Sequence, residues 1–576
     1  MIQKNEVLLK DGGEWLRFAN PRKVICVERL DEARGALEEV ERLVEERGWS
    51  AAGFVSYEAA PAFDSALRVL SDGNFPLLWF GLYPAPQVLQ TSEVLSGFGN
   101  LMALDWRPSV ERERYNAAIE KIKDYIARGR TYQVNYTMRL NAEFGGGFGA
   151  WDFFQHLAQS QNKYAAYVDA GRFAICSASP ELFFKLDGDK IYSRPMKGTV
   201  KRGRTTAEDR EQAEWLKASV KNRAENVMIV DMLRNDLGRI AKTGSVHVPD
   251  LFAVEKYPTL FQMTSTVQAK TDVSLTEIFA ALFPCASITG APKVSAMNII
   301  AELESTPRKL YTGSVGCILP NRKAQFNVAI RTAIIDKETQ SAEYGVGGGV
   351  VWDSTSADEY SEALLKARVL TESPRPFDLL ETLLWTPGEG FFLREKHRAR
   401  MADSADYFGF PFSGEKFDEC LNQLEAGFAS PRRVRILLDT SGRFQCEAED
   451  FQPRKNIFKV RLAEKPINAQ DVFLFHKTTR REMYPPAPAG CDDLLLWNEN
   501  EELTEFIVGN LVVELDGSLF TPPVSCGLLA GTFRAYLLET GQVRERAIRK
   551  DELAQCEKVF LVNSVRKWVT IETNRF

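Results

Sequence analysis

The chain has 576 residues, enough for two to four domains at roughly 150 residues each. It is 44% hydrophobic and 26% charged, and 72 basic residues against 78 acidic ones leave a net charge of −6. This ordinary globular composition and mild acidity argue against a general nucleic-acid binder or a protein held on acidic membranes. No apolar run approaches the roughly 20 residues of a membrane span. The opening MIQKNEVLLKDGGEW is too polar for the core of a secretory signal, so a cytoplasmic location is expected.

Nine widely spaced cysteines without a Cys-x-x-Cys pair predict buried thiols rather than a disulfide framework or a zinc site. Four scattered histidines leave no histidine pair for a metal. Along the chain, Phe144 to Gly149 reads as a loop and Phe173 to Cys176 as a strand. Thr206 to Leu233 predicts one long helix stopped by Asn235 to Gly238. Ser287 to Lys293 opens another helix, with proline near its first turn. Phe326 to Ile335 alternates as one strand, and Gly345 to Gly349 lacks nucleotide-loop spacing and reads as a tight backbone turn. A helix from Ser356 to Leu370 precedes Ser373-Pro-Arg-Pro376, the best domain boundary. The expected domains are therefore 1–372 and 377–576, joined by 373–376. Strands at Arg433–Leu438, Phe506–Glu514 and Lys558–Asn563 make the second part mixed as well, so both parts read as mixed α/β of the α+β kind.

Glu359 and Glu362 share one helical face. Two adjacent carboxylates without histidine or cysteine suit Mg2+, although a solvated acidic face has the same spacing. Spacing alone leaves Lys197, Glu181 and Glu225 equally undecided.

Seven ordered segments carry more weight: SPELFF, RPMKGT, KNRAENVMIVDMLRNDLGR, SITGAPK, NVAIRT, YGVGGGVV and DEYSEALLKA. Together they resemble the chorismate-utilising enzymes, which include anthranilate, isochorismate and salicylate synthases and the large subunit of aminodeoxychorismate synthase. The resemblance implies an α/β sandwich with large, mostly antiparallel sheets and an active site between them. Pro195-Met-Lys197-Gly-Thr199 is similar to the lysine-bearing segment of the aminodeoxychorismate synthases, where anthranilate synthases carry alanine. It implies that Lys197 attacks C2 of chorismate, so that ammonia then arrives at C4. Glu181 is implied as the acid and base that helps the C4 hydroxyl leave. Glu225 and Glu362, with Glu359 beside them, are implied Mg2+ ligands. Arg331 and Tyr311 would hold the enolpyruvyl carboxylate, with backbone groups of Gly198, Thr199 and Gly347. Gln262 stands where many relatives have a histidine tied to pyruvate elimination, which fits a product that keeps its enolpyruvyl group.

The second part contains FDLLET, KHRAR, HKTT, LTEFIVGN and GLLAGT. This set resembles the fold-type IV pyridoxal 5'-phosphate (PLP) enzymes, including aminodeoxychorismate lyase. It implies Lys477 as the cofactor lysine and Glu505 as partner of the ring nitrogen. Arg400 and the backbone at Gly531 and Thr532 would bind the phosphate. Asn510 follows Glu505 by five residues, as in that family, while Ala530 replaces a frequent proline and the usual first hairpin is missing. Thr382 and Arg435 are weaker candidates for substrate contact.

The two resemblances imply a fused path from chorismate through aminodeoxychorismate to 4-aminobenzoate, with Mg2+ and PLP as cofactors. Ammonia would come from a separate glutamine amidotransferase subunit, and a homodimer stays open. The alternatives are a synthase with an inactive interaction domain, or an anthranilate or isochorismate synthase fused to an aminotransferase.

Overall fold

Strand Gln133–Glu143 shows how one sequence period builds both a core and a polar wall. Val134, Tyr136, Met138, Leu140 and Ala142 point to one face and join an apolar cluster with helices Arg112–Ala127 and Ala150–Ala158. Gln133, Asn135, Thr137 and Arg139 alternate with them and are buried too. The computed structural model, which describes residues 3–95, 104–159, 163–370, 376–452 and 457–572, divides the chain into two compact units.

The first unit comprises 1–200 and 215–374. Its first sheet runs Gly290–Ala291, Gln133–Glu143, Ser341–Val350, Thr332–Asp336, Phe173–Ser179, Tyr164–Ala170, Val7–Asp11, Glu14–Phe18 and Gln87–Gln90. The second runs Met196–Lys201, Leu260–Lys270, Lys190–Arg194, Leu182–Asp187, Lys323–Val328, Ser314–Leu319, Ser50–Val55, Leu78–Tyr83 and Lys23–Val27. Val7, Phe18, Phe54, Trp79, Ile175, Val315 and Ile334 form the apolar layer shared by the sheets. Helices Leu30–Arg47, Val220–Gly238 and Leu275–Leu282 bury Leu37, Ile229 and Phe279 against the second sheet. The result is the expected mixed α/β sandwich of antiparallel sheets.

Several local expectations differ from what is seen. The alternating stretch Phe326 to Ile335 is two strands on different sheets, Lys323–Val328 and Thr332–Asp336. The chain crosses between them at Arg331, whose φ of 50° is left-handed. The long helix is broken into Thr206–Ala218 and Val220–Gly238, because Ser219 leaves helical geometry and caps the Asn222 amide. Gly345 to Gly349 lies within strand Ser341–Val350 rather than in a turn. Neighbouring atoms fill the space above those glycines: a Cβ at Gly345 would sit 2.1 Å from the Tyr311 ring, and one at Gly347 2.2 Å from the Tyr136 carbonyl oxygen. Phe506 to Glu514 is a hairpin of Leu503–Phe506 and Gly509–Leu515, not one strand.

The second unit comprises 201–214 and 375–576. The first of those segments belongs, by sequence order, to the larger part of the chain. Most of the expected connection at 373–376 lies outside the described residues. A four-stranded sheet pairs Leu379–Thr386 with Arg432–Leu438. A larger mixed sheet carries Asp493–Trp497, Leu503–Phe506, Gly509–Leu515 and Lys558–Asn563 at its centre. Cys420 and Cys446 form a disulfide, which corrects the expectation that every cysteine is a thiol. Packing of helix Gly414–Glu425 on strand Phe444–Asp450 brings together two cysteines 26 residues apart. Among the described residues, no helix is long and apolar enough to cross a membrane.

Gly345→Ala is expected to overpack the Tyr311 contact, at a cost of about 1–3 kcal/mol. Scanning calorimetry of the full chain should show a lowered unfolding temperature, and an unchanged trace would contradict the close packing.

Candidate active sites

Two polar sites emerge, one in each unit. In the first, Glu181 ends the turn after strand Phe173–Ser179 and is 4% exposed. Its Oε1 accepts a 2.6 Å hydrogen bond from Ser287 Oγ. Burial raises this carboxyl to about 7, with Ser287 and Lys197 opposing the shift. Lys197 lies on strand Met196–Lys201, and burial pushes its ammonium down while the Glu225 carboxylate pulls the other way.

Gly349 keeps the space above the lysine open. A Cβ there would stand 3.0 Å from Lys197 Nζ, 2.4 Å from Gln133 Nε2 and 3.2 Å from Asn135 Oδ1. The wall beside Lys197 is thus the polar face of strand Gln133–Glu143. Gly198, at φ 93°, and Thr199 are held by Gln262: its Nε2 donates to Gly198 O at 2.9 Å, and its Oε1 accepts from Thr199 Oγ1 at 3.0 Å. A glutamine can serve as donor and acceptor at once, and here it does both. Tyr311 packs its ring on Gly345, under the guanidinium of Arg139 at 5.2 Å. Gly347 O accepts from Lys366 Nζ at 2.9 Å.

Sequence reasoning missed the support beneath this site. Glu304, Arg139 and Arg308 are all buried, and Glu304 accepts from Arg139 Nη2 at 3.2 Å and from Arg308 Nη2 at 2.6 Å. Arg308 also donates to Asn135 O at 2.7 Å and Ile288 O at 3.1 Å. It ties the lysine wall to the Ser287 segment. Only the i,i+4 spacing of Glu304 and Arg308 was visible in the sequence.

The three expected metal ligands are less tightly gathered. Among the described residues, no group of three or more acidic, histidine or cysteine side chains is close enough to hold an ion. Glu359 accepts from Ser354 Oγ at 2.7 Å, and Glu362 pairs with Lys366 at 2.8 Å. Burial and then the nearby charge of Glu362 raise the Glu359 carboxyl, although Ser354 and Lys366 oppose this.

The second site is a cavity of about 750 Å³ containing Lys477, Glu505, Arg400, Asn510 and Thr532. Burial, aided by Arg400, lowers Lys477 to about 8. Burial raises Glu505 to about 8, against hydrogen bonds from Tyr484 Oη at 2.9 Å and Leu529 N at 3.2 Å. Asn510 Nδ2 donates to Glu505 Oε2 at 3.2 Å and to Leu529 O at 2.7 Å. Glu381, buried on strand Leu379–Thr386, receives a fork from Arg400 at 2.8 and 2.7 Å. Burial disfavours its charge, but Arg400 and His397 outweigh that and hold the carboxyl at about 2. His397 Nδ1 lies 2.6 Å from Glu381, and its Nε2 lies 3.2 Å from Thr532 Oγ1. Gly531 precedes helix Thr532–Glu539, and a Cβ there would lie 1.9 Å from Asn510 Oδ1. Thr382 and Arg435, cross-strand partners, also border the cavity. Glu381 and His397 sit inside the quoted motifs but were not singled out.

Residues 87–372 match the family model described as chorismate binding enzyme, and residues 378–573 that described as amino-transferase class IV. The chain joins a domain of each kind. Aminodeoxychorismate synthase component 1 of Escherichia coli (strain K12) is 40% identical over 274 residues, covering 46% of this chain and 59% of that protein. The protein of the same name from Bacillus subtilis (strain 168) is 41% identical over 256 residues, covering 44% and 54%. The chain thus spans less than two thirds of the length of these curated relatives. The crystal structure of anthranilate synthase component I from Streptococcus pneumoniae TIGR4 is similar in fold. Its TM-score is 0.55 at 24% identity, over 65% of this chain and 93% of that one.

A buried carboxyl titrating near 8 instead of its ordinary 4.5 makes the folded protein bind a proton that the unfolded chain has released. Glu505 therefore costs stability as pH rises from about 4.5 to 8. Glu505→Gln is expected to flatten that loss in the cofactor-free protein, measured by thermal unfolding between pH 5 and 8.

Proposed function

We propose that the chain is a cytoplasmic enzyme that converts chorismate to 4-aminobenzoate in two steps, one on each unit. The observation carrying this reading is the pairing of Lys197, an amine pushed towards neutrality by burial, with Glu181, a carboxyl raised to about 7. A neutral amine is a nucleophile, and a carboxyl still protonated near neutral pH is an acid.

In the first step the Lys197 nitrogen bonds to C2 of chorismate while the C4–O bond breaks. Glu181 gives its proton to the departing hydroxyl, which leaves as water, and the proton shed by the lysine nitrogen restores the acid. Ammonia then bonds to C4, the C2–N bond to Lys197 breaks, and the proton lost by the ammonia nitrogen goes to the lysine. Arg331 and Tyr311, with the backbone of Gly198, Thr199 and Gly347, orient the enolpyruvyl carboxylate. Gln262, engaged with Gly198 and Thr199, fits retention of the enolpyruvyl group. The oxygen donors Glu225, Glu359 and Glu362 suit Mg2+ in kind but are not gathered closely enough to hold it as they stand, so binding would require them to draw together and Lys366 to release Glu362. When bound, the ion supplies positive charge to the ring carboxylate.

In the second step the donor set fits PLP: an amine at about 8, a buried carboxyl lacking enough positive charge to keep it ionised, and Arg400 lining the same cavity as Gly531 and Thr532. When bound, the cofactor supplies an electron sink. Glu505 would hold a proton on the cofactor's ring nitrogen, and Arg400, steadied by Glu381, would bind its phosphate. Lys477 is the group to take the proton at C4 of aminodeoxychorismate; the C3–O bond breaks as the ring becomes aromatic, and the released enolpyruvate takes up a proton to leave as pyruvate. Relatives named aminodeoxychorismate synthase component 1 support assigning the ammonia supply to a partner glutamine amidotransferase subunit.

Product analysis with chorismate, Mg2+, ammonium and PLP tests this reading. Free 4-aminobenzoate is expected from the unaltered chain, and aminodeoxychorismate from Lys477→Ala. Ortho-aminated product would overturn the first step, and aminodeoxychorismate from the unaltered chain would overturn the second. Glu181→Gln should slow chorismate consumption by roughly 10²–10⁴-fold. The rate of the unaltered enzyme should fall above about pH 7, where Glu181 loses its proton, and this limb should vanish in the variant.

A further inference from the structure

The stretch 201–214 follows Lys197 closely in the chain, yet it is part of the second unit. Its hydrogen bonds explain why. Arg202 and Asp209 form an ion pair at 2.6 Å, with side chains only 5% and 6% exposed. The same Asp209 oxygen accepts from Gly203 N at 3.1 Å. Arg202 Nη2 donates to Tyr407 O at 2.8 Å, its guanidinium lies 4.2 Å from the centre of the Tyr407 ring, and Tyr407 Oη donates to Gly203 O at 2.6 Å. Arg204 adds a 3.3 Å bond to Ala469 O, and Thr206 one to Asp403 O.

These contacts converge on the residue next to the proposed cofactor lysine. His476 is 3% exposed, and its ring lies tilted against that of Tyr407, with centroids 4.3 Å apart. Its Nε2 lies 3.2 Å from Arg204 O, a group that can only accept, so Nε2 carries a proton. Its Nδ1 lies 3.0 Å from Ser404 Oγ. On the other side, Lys477 O accepts from Leu380 N at 2.9 Å, and Thr478 bridges to Leu379. The backbone bearing Lys477 is thus clamped between strand Leu379–Thr386 and the 201–214 segment.

We infer that residues 201–214 are a positioning element for the second reaction, holding His476 and through it Lys477 against the cofactor cavity. Arg202, Asp209 and Tyr407 are its positioning residues. A buried ion pair adds little net stability after desolvation, but it holds one geometry, and a reactive amine displaced by about 1 Å can lose 10²-fold in rate. The inference rests on Lys477 being the cofactor lysine. It means that a cut at 373–376 would not separate two independent enzymes, because the second site draws its support from residues encoded in the first part of the chain.

The test uses the full chain carrying Tyr407→Phe, which loses one hydrogen bond, and Arg202→Ala, which loses the anchor. PLP affinity and the pH titration of the bound cofactor's absorbance are measured without substrate, alongside thermal unfolding and aminodeoxychorismate formation. Both variants are expected to bind PLP more weakly, by on the order of tenfold for Arg202→Ala. Both should also shift the absorbance titration, while aminodeoxychorismate formation stays unchanged. Altered melting with unchanged affinity and titration would reduce the segment to a structural strut and overturn the inference. If Arg202→Ala fails to fold, Tyr407→Phe decides alone. No PLP uptake by the unaltered chain would instead bring down the cofactor reading on which the inference stands.

Discussion

Desolvation of the half-buried Lys197 and the buried Glu181 is the constraint on which the first site depends. Removing an ammonium and a carboxylate from water penalises both charges, so each group moves towards its neutral form. Neutrality is what each proposed role demands, since an attacking amine must be uncharged and an acid must carry its proton. The antiparallel sheets supply that environment: one polar strand face brings Gln133 and Asn135 to the lysine, and Gly349 leaves room for the amine. The buried Glu304 with Arg139 and Arg308 shows the opposite result of the same physics. There two guanidiniums and their hydrogen bonds outweigh burial and hold the carboxyl below its ordinary range.

The second unit repeats the contrast within one cavity. Glu505 and Glu381 are both deeply buried carboxyls, but one is raised to about 8 and the other held at about 2. The difference is the Arg400 fork on Glu381, for which Glu505 has no equivalent. Glu381 is thereby a fixed anchor for Arg400. Glu505 is held protonated by burial, and in the proposed reading a protonated pyridine nitrogen would supply the cation that stabilises its charge. A single kind of residue therefore takes two roles according to what stands beside it.

Much of this was legible in the sequence because motifs are local. SPELFF, RPMKGT and HKTT name Glu181, Lys197 and Lys477 without any geometry, and the sandwich follows from the family they resemble. What escaped was non-local. Phe326 to Ile335 keeps a two-residue period while the chain changes sheets, because alternation encodes which side a residue faces and not which sheet it joins. Nothing in the composition flags Arg331 as left-handed, or Ser219 as the break between two helices. Glu304 and Arg139 are 165 residues apart, and the grouping of 201–214 with the second unit is likewise a tertiary fact. The shared face of Glu359 and Glu362 was read from spacing, while the i,i+4 lysine that pairs with Glu362 was legible too but passed over.

The central claim is that the Lys197 nitrogen itself bonds to the substrate ring. The most direct measurement is peptide mass spectrometry of protein incubated with chorismate and Mg2+ in the absence of ammonia, then quenched in acid. The account predicts a peptide containing Lys197 that gains the mass of chorismate less one water, and loses it when ammonium is added before the quench. An unmodified Lys197 peptide, with full para amination retained by Lys197→Ala, would contradict it.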